Sequence, residues 1–141
     1  VRRLIMARPY LGGSSAGVKE LTAASTLAIA DSGKVFMLNS TSEFATTLPA
    51  PSNIGWEATF IVKAAPSGAS YTIVAPSGAI LGSVSAGAAD DVADTSDGSD
   101  TTISFVDGQA VAGDYVKLVA DGTNFYIVGG LGKVAAGITI S

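Results

Sequence analysis

Hydrophobic and polar positions alternate in short bursts along this chain, and each burst ends at a turn. The plainest is WEATFIVK, residues 56–63. Trp56, Ala58, Phe60 and Val62 fall on one side of it, and Glu57, Thr59, Ile61 and Lys63 on the other. A period of two marks a strand with one buried face. Shorter strand candidates are TLAIA (26–30), VFML (35–38), FATTLP (44–49), YTIVA (71–75), AILGSV (79–84), TISFV (102–106), YVKLVA (115–120) and FYIVG (125–129), with a last strand at Ile138 to Ile140. The stretches between them are rich in Gly, Pro, Asn, Asp and Ser, which form turns. Strands this short, spaced by roughly 8 to 12 residues, predict an all-β protein. The expected fold is a single antiparallel β-sandwich or barrel-like domain with no helix of three turns.

Two segments depart from the alternation. Residues 1–20 show no sustained period, and RPYLGGSSAG combines Pro9 with paired glycines and serines. An extended N-terminal arm is expected over 1–20, ahead of a β-domain over 21–141. The second is VADGTNFYIVGG (119–130), where Asp121-Gly122 predicts a hairpin turn between YVKLVA and FYIVG. Four apolar residues in a row, Phe125, Tyr126, Ile127 and Val128, imply burial on both faces of that strand. One face would meet the core and the other a second subunit, which makes these four the expected subunit interface. The alternative is a strand wholly inside one core.

Composition sharpens that choice. Only 14% of the 141 residues are charged, against 48% hydrophobic, and soluble domains usually carry about 25% charge. Mean hydropathy is +0.44. A chain so poor in charge is expected to bury surface against copies of itself or another protein. The charge is also uneven. Arg2, Arg3, Arg8, Lys19 and Lys34 make the beginning basic, whereas eight Asp lie between Asp90 and Asp121 beside the single Lys117. A basic arm on an acidic body predicts contact with an acidic partner surface or with neighbouring copies, with Arg2, Arg3, Arg8 and Tyr10 as the candidate anchors. Three arginines and one tyrosine are a thin patch for nucleic acid, which is not expected as a partner. Residues 64–89 carry no charge but are broken by Pro66, Gly68, Pro76, Gly78, Gly82 and Gly87, so no membrane span is expected.

Candidate chemistry is sparse. The chain has no Cys and no His, which removes thiolate chemistry, the commonest general base and the commonest metal ligand. No enzyme, cofactor or structural metal is expected. The loop DDVADTSDGSD brings Asp94, Asp97 and Asp100 around Gly98, as calcium loops do, but lacks the alternate-position ligands and closing Glu of an EF-hand. A solvated loop is the expectation. Glu43 and Glu57 have nothing to bring them together as an acid-base pair, and Ser14, Ser15 and Ser32 have no activating base. GGSSAG and GGLGKV lack phosphate-loop spacing. Trp56, Tyr71, Phe125 and Tyr126 are the candidates for a sugar or base platform, though packing suits them better.

The succession LTAAS…DSGKVFMLN (21–39), TTLPAP (46–51), ATFIVK (58–63), YTIVA (71–75) and VKLVADGTNFYIVGG (116–130) resembles small β-modules of tailed-bacteriophage virion proteins. Such modules occur in capsid decoration (cement) proteins and in fibre segments. The closing DGTN-aromatic-Tyr hairpin, Asp121 to Tyr126, is their most characteristic element. The family often has Trp where this chain has Phe125. The resemblance spans about residues 21 to 130 and implies a non-enzymatic, β-rich, often trimeric protein. Nothing after Gly130 resembles a fibre shaft or tip, so the expectation is a decoration protein on the virion's capsid surface. It would bind the major capsid protein as a homo-oligomer, expected to be a trimer. The alternative is a receptor- or carbohydrate-binding module of a fibre or baseplate.

Overall fold

In a computed structural model, the structure describes residues 17–40, 42–87 and 94–141. The strands are β1 (Val18–Leu21), β2 (Ser25–Thr26), β3 (Val35–Leu38), β4 (Phe44–Thr47), β5 (Glu57–Val62), β6 (Tyr71–Val74), β7 (Ile80–Leu81), β8 (Ser83–Ala86), β9 (Asp94–Thr95), β10 (Thr102–Phe105), β11 (Tyr115–Ala120), β12 (Phe125–Gly132) and β13 (Ile138–Ile140). Helical structure among the described residues is limited to two 3-10 turns, Ile29–Asp31 and Ala135–Gly137. The first replaces the end of the strand expected over 26–30. There Asp31 folds back to accept the Ala28 N–H at 2.9 Å and the Lys34 ammonium at 2.7 Å.

Two mixed sheets share one apolar core. The larger runs β1-β3-β5-β11-β12-β8-β9, with β7 also paired to β12, and the smaller runs β13-β10-β6-β4-β2. The expectation of antiparallel pairing is corrected here. β1, β3 and β5 lie parallel in the larger sheet, and β2, β4 and β6 lie parallel in the smaller. The chain therefore winds, placing each successive strand from β1 to β6 in the opposite sheet. Parallel neighbours need a crossover connection, usually a helix. In this chain the crossover is a strand of the other sheet. The pairs of β10 with β6, β13 with β10, β11 with β5 and β12 with β11 are antiparallel, whereas β12 lies parallel to β7 and β8 on its other side.

The alternating residues of both sheets meet in that core. Trp56, Ala58, Phe60 and Val62 point inward from the larger sheet and meet Tyr71, Ile73, Ile103 and Phe105 within one cluster. Phe36 stacks on Phe60, and Trp56 meets Phe125 edge to face at 6.1 Å. The buried Tyr71 hydroxyl accepts the Ser40 N–H and lies within donating distance of the Ser40 and Ala64 carbonyls. It pins two loops to the core. The buried Asp114 carboxylate does the same elsewhere, accepting the N–H groups of Val111 and Lys133.

The domain boundary also moves. β1 pairs with β3 from Val18 to Leu21, and Leu21 is buried in the core. The β-fold thus includes residues that the absence of a period assigned to the arm. The pattern failed there because β1 is an edge strand whose first three residues are exposed, so it has no alternation to display.

Candidate functional site

The outward side of the larger sheet carries an apolar surface built from several strands. Register fixes which residues share it. Glu20 stands beside Met37, Met37 beside Ile61, Ile61 beside Tyr115, and Tyr115 beside Leu131. A second row joins Val18, Val35, Thr59, Lys117 and Gly129, and a third joins Glu57, Val119 and Tyr126. Tyr115, Tyr126, Val128 and Leu131 keep 36%, 39%, 56% and 42% of their surface accessible. Directly opposed side chains on one face lie close enough to form a continuous patch.

A bulge explains the run Phe125–Val128. Leu118 pairs with Ile127 and Lys117 with Gly129, so Val128 has no partner opposite it. One inserted residue shifts the alternation. Phe125 points inward and is fully buried, Tyr126 points outward, Ile127 packs against the core, and Val128 stands exposed at the bulge. Four consecutive apolar residues are therefore divided between the two faces of the strand, one on the core and one outward. Gly129 beyond the bulge leaves room for the Tyr115 ring, which lies 3.8 Å from where a side chain would begin. On the inner side, a Cβ at Gly130 would stand 2.6 Å from the Val84 side chain. The bare glycine is what lets β12 pack against β8.

The charges on this face are paired. The Lys63 ammonium contacts Glu20, which also accepts from the Asn39 amide at 2.7 Å. The hydrogen bond from Lys63, then that from Asn39, holds the Glu20 carboxyl below its ordinary range. Lys117 and Glu57 approach to 3.6 Å. At the hairpin tip, Asp121 Oδ1 accepts the N–H groups of Asn124 and Thr123, and these bonds hold its carboxyl low as well.

Other expected site residues fall as follows. Arg2, Arg3, Arg8 and Tyr10 lie outside the described residues, as do Ser14 and Ser15. Trp56, Tyr71 and Phe125 are buried, so of the four candidate platform rings only Tyr126 reaches the surface. Asp97 accepts from Ser99, Asp100 from the Asp97 N–H, and Asp94 from the Ile140 and Thr95 N–H groups. These oxygens are engaged in holding the loop, and no acidic cluster able to hold a metal ion is present among the described residues. Ser32 Oγ accepts the Glu57 N–H. No helix among the described residues is long and apolar enough to cross a membrane. A shallow hollow of about 380 Å³ opens at the loop end, floored by Trp56 and flanked by Ile29 and Ile54.

Sequence reading missed the row from Met37 to Leu131. Its signal was present in the outward positions of WEATFIVK and YVKLVA, where Ile61 and Tyr115 stand at places that a solvated strand gives to polar residues. No family model matches the chain, and no curated protein matches its sequence.

Proposed function

We propose that this chain is a non-enzymatic structural protein of a tailed-bacteriophage virion. It binds the outer capsid surface as a homotrimer and stabilises the shell, with its two sheets as the layers of a β-sandwich. The observation that carries this reading is the outward face of the larger sheet, an ordered apolar surface with paired charges and no reactive constellation beside it. Such a face favours assembly over catalysis. The phage assignment rests on the motifs between residues 21 and 130.

The mechanism is mass action. A protein that binds only the assembled shell stabilises it by its binding free energy. Arg2, Arg3, Arg8 and Tyr10 anchor it on an acidic groove of the major capsid protein, an attachment that salt weakens because charge pairing is screened over about 8 to 10 Å. Tyr126 and Val128 contribute to the contact between subunits. Neither nucleic acid, membrane, metal nor cofactor enters this function. A carbohydrate-binding module is less well supported, since three of its four candidate rings are buried.

Quantitative mass spectrometry of purified particles of the phage encoding this chain tests the proposal. Copies in the hundreds per particle are expected. A few copies per particle would favour a fibre or baseplate module, and absence from the particle would overturn a virion role.

A further inference from the structure

We propose that the outward face of the larger sheet, centred on the row Ile61, Tyr115 and Leu131 with Tyr126 and Val128 beside it, is covered by a second copy of this chain. This rests on the homo-oligomer part of the proposed function. It moves the contact from one strand to a face that crosses β3, β5, β11 and β12.

Charge selects the occupant. The chain carries a net charge of −4, so two copies repel each other over most approaches. The outward positions of these strands and the residue after β5 bear two acids, Glu20 and Glu57, and two lysines, Lys63 and Lys117, joined in pairs, while Lys19 of β1 stands in register with the inward Phe36. The face is neutral where the molecule is acidic. It offers a like-charged copy an approach free of net repulsion, and it has no excess of either sign to attract a strongly charged partner.

Extent agrees with this. Five adjacent strands from β1 to β12, about 4.8 Å apart with residues rising about 3.4 Å, span on the order of 500 Å² in projection. Corrugation by side chains brings its accessible area toward the roughly 800 Å² per partner of a stable complex. The aromatic content fits as well, since tyrosines are enriched where interfaces are buried. Ile29 and Ile54 are more exposed than any apolar side chain of the row, at 61% and 80%. They stand at the loop end, lining a shallow hollow with Ser32, Asn53 and Trp56 rather than a row in register across strands.

Sedimentation equilibrium of the full chain between 1 and 100 µM, with matched variants, tests the assignment. The natural chain is expected to associate. Leu131→Asp is expected to weaken association at least tenfold, and Ile54→Asp to leave it unchanged. Because the chain has no cysteine, Val128→Cys supplies an independent readout that does not depend on how an aspartate is tolerated. At concentrations where the chain associates, Val128→Cys should be protected from a thiol reagent and Ile54→Cys should react freely. If the natural chain associates while Leu131→Asp associates equally well and Val128→Cys reacts as freely as Ile54→Cys, the face is wrong and the oligomer reading stands. A monomer throughout at 100 µM overturns both and leaves the face to a different partner.

Discussion

Thr46 is fully buried on β4 and its hydroxyl has no hydrogen-bond partner among the described residues. The Ser25 hydroxyl, at the paired position on β2, is in the same condition. A buried polar group without a partner retains its desolvation cost and gains nothing in return. Thr46→Val keeps the shape of the side chain and removes that group. It is expected to raise unfolding stability by about 1 kcal/mol, read as a higher denaturant midpoint at unchanged slope. Gly78 gives the opposite case. Its φ is +72°, and a Cβ there would collide with the backbone carbonyl of Thr123. Gly98 has a φ of +97° with nothing near the same position. Gly98→Ala should therefore cost about 1 kcal/mol, from backbone strain alone. Gly78→Ala should cost on the order of 3 kcal/mol or more, because the hairpin tip must also move. Equal losses in the two variants would show that the approach of loop 76–78 to the hairpin is unimportant.

Among the elements, β3, β4, β5, β6, β10, β11 and β13 match segments that periodicity marks out in the sequence, because each places alternate residues in the core. Their direction was not legible. Period-two alternation records that one face is buried, and it reads the same whether the neighbouring strand runs parallel or antiparallel. The winding of β1 to β6 between two sheets therefore left no trace in the pattern. The bulge at Val128 was hidden for a related reason. An inserted residue mimics a continuously apolar strand, so the pattern FYIV does not show that Ile127 turns to the core while Val128 stands at a bulge on the outward face. The candidate site was legible only at Tyr126 and Val128, since its other members come from strands brought together by register. β1 supplies the test at this scale. Leu21 belongs to the core although it follows a segment with no period, and Leu21→Ala is expected to cost about 2 to 4 kcal/mol. A loss below about 0.5 kcal/mol, the usual range of surface changes, would mean that β1 is not part of the folded unit.

For the whole molecule, low charge and a neutral apolar sheet face are the features on which the proposed surface role rests. The described carboxylates agree with this. Those of Asp31, Asp114 and Asp121 hold turns and loops in place through backbone N–H groups, and those of Glu20 and Glu57 are paired with lysines on the sheet face. None stands with a base, a nucleophile or a metal cluster. The proposed capsid role is tested by a difference image from cryo-electron microscopy. Particles carrying this chain would be compared with particles from a mutant lacking it, averaged with and without the symmetry of the shell. Density is expected to be lost from the outer capsid surface, in three-lobed units repeated at symmetry points across the shell. Density lost from the tail or baseplate, or from nowhere on the particle, would contradict that role.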